Sequence, residues 1–270
     1  MGAVLLIVCA IIIVALITGS YQKLTNAICK SKKRLHGKTV IVTGGTSGMG
    51  LRIAVDLAQR GARVIIACPF SNEGKKALKV IKEETKSDNV VFELLDLSSI
   101  ESVQTFAAII NEREERLDIL VNNAGVGVVS EFITDDGMSF TMQLYSNSKL
   151  CLVVFLNELV KKLRGSNVVV NCVDPGAVGT GIFYCIGTIS GYTVSTLISM
   201  IFKTPWEGAQ TALHVALDKR AGNVTGGFFK NCKQTRARRL AYNEKKATEL
   251  WEETMRLLKL SDKEVEQCLK

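Results

Sequence analysis

A tyrosine four residues ahead of a lysine, Tyr145 and Lys149, is the pair in this chain best suited to moving a proton. A phenol with a pKa of about 10 exchanges protons poorly at neutral pH, and a nearby ammonium that stabilises the phenolate corrects this. On a helix, a spacing of four brings both side chains to one face. A second group of residues could hold the other half of such chemistry. Thr43-Gly44-Gly45-Thr46-Ser47-Gly48-Met49-Gly50 lies between a β-branched run and a segment of helical period. Gly44, Gly48 and Gly50 there permit a tight turn, close approach of the main chain to a pyrophosphate and close helix packing, while the first N–H groups of the helix face the anion. A third marker, Asn122-Asn123-Ala124-Gly125, is separated from Tyr145 by only nineteen residues, 126–144. A helix-plus-strand unit takes roughly thirty.

The elements that must position these groups are legible in the hydrophobic pattern. From Lys38 onward, short β-branched runs alternate with longer segments of helical period, the signature of βαβ units and a parallel sheet covered on both faces. Strands are expected at 39–43, 63–68, 90–94, 119–122, 167–173 and 227–230. Ile53, Ala54, Leu57 and Ala58 line one helix, which Gly61 ends, and Ile100, Val103, Phe106, Ala107 and Ile110 line another. Further helices are expected at 149–163, 205–217 and 244–260. The fold class is therefore α/β, a Rossmann-like doubly wound parallel sheet. The short spacing before Tyr145 implies that one central strand and its helix are missing.

With 270 residues, 47% hydrophobic and 22% charged, the chain can build a full core in one domain. Eight scattered cysteines without a C-x-x-C pair read as free thiols of a reducing compartment. His36 and His214 are the only histidines and neither has ligand spacing, which argues against a zinc site, so no metal is expected. Residues 2–20 are almost wholly apolar and the first charge is Lys23, the pattern of a transmembrane signal anchor without the basic start of a cleaved signal peptide. Lys23, Lys30, Lys32, Lys33 and Arg34 follow, making 21–37 a basic juxtamembrane linker and placing the 38–270 domain on the cytosolic side. The remainder of the net charge of +8 gathers at Lys230, Lys233, Arg236, Arg238 and Arg239, without interleaved aromatics, so no nucleic-acid partner is expected.

The glycine turn, Asp96 within Leu95-Asp96-Leu97, Asn122-Asn123-Ala124-Gly125, Tyr145 with Lys149, and Pro175-Gly176 ahead of Thr180 resemble the short-chain dehydrogenase/reductase family in type and order. The resemblance runs over 38–260. Ala67-Cys68, Asp136-Gly137, Gly208-Ala209-Gln210-Thr211 and Leu250-Trp251-Glu252, with the N-terminal anchor, are similar to its membrane-bound retinol dehydrogenase branch. The resemblance implies interconversion of a lipophilic alcohol and its aldehyde or ketone, retinol and retinal first, with Tyr145 as general acid/base and Lys149 as its electrostatic partner. It implies cofactor contacts from Thr43, Gly44, Ser47, Gly48, Met49, Gly50, Asp96, Leu97, Asn123, Ala124, Gly125, Tyr145, Lys149, Pro175, Gly176 and Thr180, with Asp96 at the adenine and Thr180 on the nicotinamide side. It also implies the endoplasmic reticulum as the membrane and leaves homo-oligomerisation open.

Cofactor choice is set where the second strand ends, at Ala67-Cys68-Pro69-Phe70. No acid there bonds a ribose 2′-OH, and Lys75 and Lys76 follow closely, so NADP(H) is favoured over NAD(H). Residues 183–202, apolar and interrupted by Gly and Ser, read as a lid over a lipophilic substrate or as a buried helix. The family pattern also places a catalytic Asn and a strand ending in a catalytic Ser between Gly125 and Tyr145, and this chain lacks that block. A donor of that kind is worth ~10²–10³ in rate. The alternative expectation is therefore a catalytically impaired isoform that binds cofactor and has a regulatory role or none.

Overall fold

The computed structural model describes residues 2–125, 144–180 and 201–269, together with 193, 195, 196 and 199. The order begins α1 (Gly2–Thr25), β1 (Thr39–Thr43), α2 (Gly48–Gln59), β2 (Arg63–Cys68), α3 (Ser71–Thr85), β3 (Val90–Leu94), α4 (Ile100–Arg113) and β4 (Ile119–Val121). It continues with α5 (Leu144–Lys162), β5 (Cys172–Asp174), α6 (Pro205–Leu217), β6 (Phe228–Lys230), β7 (Lys233–Thr235), α7 (Glu244–Leu257) and α8 (Asp262–Leu269).

The β-branched runs of β1 and β2 form the centre of a parallel sheet ordered β3-β2-β1-β4. Alternate side chains go to opposite faces, and both faces are apolar. Val40, Val42, Val64 and Ile66 pack with Ile53, Leu57, Ile81 and Leu213 beneath α2, α3 and α6, whereas Ile41, Ile65 and Ala67 meet Leu95, Phe106 and Ile110 of the α4 side. Local signals set the helix ends. Gly61, at φ +87°, closes α2. Thr204 and Glu207 make a reciprocal capping box ahead of Pro205 in α6.

Three expectations need correction. Among the described residues the single continuous sheet is two sheets: β4 pairs only with β1, while β5 pairs with β6 and β6 with β7 in a separate three-stranded unit. Among the described residues nothing joins β4 to β5. The strand expected at 167–173 shrinks accordingly to Cys172–Asp174. A strand exists only where a neighbouring strand pairs with it, and Val168, whose N–H donates to Ser166 Oγ (3.2 Å), and Val169 stand exposed with no strand beside them among the described residues. Leu120, which lies on the face of Ile41 and Ile65, is 51% exposed. The expected closing helix is also shorter, breaking at Lys259 (φ +54°) before α8.

The expected anchor falls on α1, which is 24 residues long, with half of its side chains outside the described residues. Among the described residues no helix is long and apolar enough to cross a membrane.

Asp118, just before β4, is an electrostatic fastener. Its carboxylate accepts from Lys38 Nζ (2.9 Å), the Thr39 N–H (3.0 Å) and Arg116, and its side chain is 11% exposed. Burial alone would raise its pKa, but the bonds from Arg116, Lys38 and Thr39 outweigh it and hold the carboxyl down to about 2. A depressed carboxylate contributes stability above its unfolded pKa and loses it as pH falls through the folded value. Asp118→Asn is therefore expected to lower stability by about 1–2 kcal/mol at neutral pH, after allowance for solvent screening of the exposed Arg116. Urea titrations in detergent should show the gap between the two proteins closing between about pH 4 and pH 2.

Candidate active site

The carboxyl ends of β1, β4 and β5 bring the expected motifs together. At the end of β1 the chain turns through Gly44 (φ +62°), whose N–H donates to Ala67 O at 2.8 Å, and reaches α2 through Gly48 (φ +53°). Neither conformation suits a side chain. A Cβ at Gly44 would meet Ala124 Cα at 2.9 Å, and one at Gly48 would meet Thr180 Cβ and Cγ2 at 3.2 Å. At Gly50 it would fall on Gly44 O and Asn123 Nδ2 at separations under 3.0 Å, closer than real Cβ contacts allow. The glycine turn, the Asn123-Ala124 pair and Thr180 thus form one contact set.

Asn123 organises it. Its side-chain Nδ2 donates to Thr43 O (3.0 Å) and Gly44 O (3.2 Å), and its N–H donates to Thr43 Oγ1 (3.1 Å). That hydroxyl also accepts from Ala124 N (3.1 Å) and donates to Val121 O (3.4 Å), so its donor and both lone pairs are engaged. The turn into α2 is therefore fixed from the β4 side. Ser47, in extended conformation at the N-cap, makes no side-chain cap, leaving the first N–H groups of α2 to an incoming anion. A cradle that tolerates no Cβ, opening on an uncapped helix end, fits a dinucleotide pyrophosphate.

Lys149 reaches the same set from α5, its Nζ donating to Ala124 O at 3.4 Å. Burial lowers the pKa of its ammonium from the ordinary lysine value. Tyr145 lies one turn earlier on α5, with its side chain outside the described residues. After β5, Gly176 (φ +79°) turns the chain, its N–H donating to Asp174 Oδ1 at 2.8 Å. The loop beyond Pro175 is pinned by Lys203, whose N–H donates to Ala177 O (3.1 Å) and whose carbonyl accepts from Gly179 N (2.9 Å). That pinning sets Thr180 against Gly48.

Other expected residues play different local parts. Met49 packs its sulfur toward Gly208 of α6, where a Cβ would meet it at 2.8 Å. Asp96 Oδ1 accepts from Ser98 N (2.9 Å) and Ser98 Oγ (2.7 Å), shaping the turn into α4, while Leu97 beside it is exposed. Beyond β2, Cys68 is buried and bonds Phe70 O, and Phe70, Lys75 and Lys76 face solvent. Gly125 follows Ala124 as the last described residue before position 144. The lid expected at 183–202 lies mostly outside the described residues.

Lys203 is a buried neighbour of these motifs that the sequence did not single out. It is 8% exposed and lies along Gly176, where a Cβ would meet its Cε at 3.7 Å and Nζ at 3.9 Å. Burial depresses its pKa, with Asp174 and Glu207 acting in the opposite sense. Its place directly before the Thr204-Pro205 helix start was the available signal.

The family model described as short chain dehydrogenase matches residues 38–142. Retinol dehydrogenase 13 of Homo sapiens is 32% identical, covering 87% of this chain and 89% of that protein. Retinol dehydrogenase 12 of Homo sapiens is 31% identical (86% and 89%), and retinol dehydrogenase 11 of Mus musculus 30% (92% and 95%). Among solved structures, a protein of Mycobacterium paratuberculosis superposes with a TM-score of 0.67 at 21% identity, covering 87% of this chain and 98% of that one. L-sorbose reductase of Gluconobacter frateurii, complexed with NADPH and L-sorbose, gives 0.59 at 21% identity over 73% and 95%.

Proposed function

The chain belongs to the short-chain dehydrogenase/reductase family, and from that premise we propose that it is a membrane-anchored, NADP(H)-dependent oxidoreductase acting on a lipophilic alcohol or carbonyl, retinol and retinal first. The observation that carries the reading is the convergence of Gly44, Gly48 and Gly50 with Asn123, Thr180 and Lys149 at one edge of the sheet. When bound, the nicotinamide supplies or accepts the hydride. Tyr145 gives its phenolic proton to the carbonyl oxygen in reduction and takes it back in oxidation, and the Lys149 ammonium stabilises the phenolate between the two. The main chain of the glycine turn and the uncapped end of α2 hold the pyrophosphate. Thr180 orients the nicotinamide side.

The preference for NADP(H) rests on the exposed Lys75 and Lys76 and on the absence of a carboxylate in Ala67-Cys68-Pro69-Phe70. The NADPH in the sorbose reductase structure is in keeping with it. The anchor rests on the 24 residues of α1, about 36 Å of helix at 1.5 Å per residue, and on the absence of any charge before Lys23. The endoplasmic reticulum is the membrane proposed.

A second reading has its own support. The alignment with human retinol dehydrogenase 13 runs over 294 positions, more than this chain has residues, and among the described residues no strand stands between β4 and β5. These favour an isoform that binds cofactor without turning it over. Retinal reduction by membranes carrying the protein, supplied with NADPH, decides between the two. Turnover that Tyr145→Phe abolishes supports the enzyme. Tight NADPH binding with no turnover above the variant supports the silent isoform, and neither binding nor turnover overturns both.

A further inference from the structure

We propose that the β6–β7 hairpin and the loop after it, residues 230–242, form with the linker after α1 one surface that docks on anionic lipid headgroups. The inference rests on the anchor reading above.

The hairpin tip is clamped to the end of α1. Asn231 and Cys232 form the two-residue turn, both with positive φ (50° and 56°), as a type I′ hairpin requires. Cysteine rarely adopts that conformation, so contacts must hold it there. Asn231 Oδ1 accepts from Ala27 N (2.9 Å) and its Nδ2 donates to Thr25 O (2.9 Å). Cys232 Sγ lies 3.6 Å from Ala27 O and its N–H donates to Thr211 Oγ1 (3.3 Å). Beside them, Lys23 pairs with Glu207 at 2.7 Å, and Asn26 Nδ2 bonds the other Glu207 oxygen (3.3 Å). Helix α1 itself touches the domain at Gly19, where a Cβ would meet Ile201 O at 2.7 Å. Hairpin, linker and helix end therefore move as one piece.

That piece carries cations that no described carboxylate pairs with. Lys233, Arg236, Arg238 and Arg239 are all exposed, and none has a carboxylate within ion-pair distance among the described residues. Exposed Lys30, Lys32 and Lys33 of the linker add to them. The same segments carry apolar groups that a headgroup region would take up: Leu24 is 86% exposed and Leu240 51%, and Tyr242 is exposed with its hydroxyl accepting from Ala237 N at 3.0 Å. Basic side chains followed by an exposed leucine and tyrosine, tied to the end of an apolar helix, match an anionic bilayer surface in charge and depth. Docking there would fix the orientation of the domain and hold the Ile201 side of it at the membrane.

The test uses the full chain in nanodiscs of phosphatidylcholine alone or with phosphatidylserine, with amide exchange read over 233–242 and over β1 as a folding control. Exchange at 233–242 is expected to slow on the order of tenfold in the anionic discs, about the effect of one or two bound basic side chains, and β1 to stay unchanged. The variant Arg236→Glu, Arg238→Glu, Arg239→Glu should lose the difference while keeping β1 protected. Equal exchange in both discs, or slowing that survives in the variant, overturns the proposal. If the chain is instead released from membranes by an alkaline wash, the anchor reading fails and the proposal with it.

Discussion

Gly50→Ala is expected to weaken NADPH binding by on the order of a hundredfold and to destabilise the domain by about 1–3 kcal/mol, the usual cost of forcing a methyl into filled space. The new Cβ falls on Gly44 O and on Asn123 Nδ2, and neither can yield cheaply. Gly44 is held by its N–H bond to Ala67 O and by its positive φ, and Asn123 is held by three bonds to Thr43 and Gly44. The relief available is to push α2 outward, which widens the cradle and carries the helix N-terminus away from the pyrophosphate. Binding measured by quenching of NADPH fluorescence, with urea titration alongside, separates the two effects. Gly222→Ala serves as the control, since a Cβ there meets nothing within 4 Å. Gly50→Ala binding NADPH as the parent does would remove the glycine turn from the cofactor site.

What could be read in the sequence was whatever depends on neighbours along the chain. The β-branched runs of β1 and β2 and the stripe of Ile53, Ala54, Leu57 and Ala58 are local signals, and the elements stand where these put them. The glycine turn was legible because only glycine serves at Gly44 and Gly48. The bounds of β5 were not, because Val168 and Val169 carry every local mark of a strand and fail to be one only for want of a partner. Nor was the clamp on α1, whose members Thr25, Ala27, Glu207 and Asn231 lie about two hundred residues apart and carry no motif. The hub at Asn123 falls between: its motif was recognised, but its bonds to Thr43 and Gly44 needed the β1–β4 pairing to be seen.

The split between the two sheets leads to the second large effect. Residues 64–66 lie in β2, flanked by β1 and β3 and buried on both faces, so their amides should exchange only through global unfolding. Residues 172–174 have β6 on one edge and, among the described residues, no strand on the other. Their amides need only a local separation from β6 and are expected to exchange at least about a hundredfold faster than those of β2, a gap of roughly 3 kcal/mol in opening free energy. Equal protection in the two strands would mean that β5 is covered on its second edge, and the two-sheet description would fall. The cofactor reading sharpens the experiment. Gly176 and Thr180 continue directly from β5, and Thr180 already rests on Gly48 across the cradle. A dinucleotide bound there holds the first sheet to the second through that contact, so NADPH should slow exchange at 172–174 and leave 64–66 unchanged. A cofactor that slows β5 would then be supplying a link between the two sheets that no strand supplies among the described residues, and tight binding could coexist with impaired turnover, because these contacts do not involve the donor block expected between Gly125 and Tyr145.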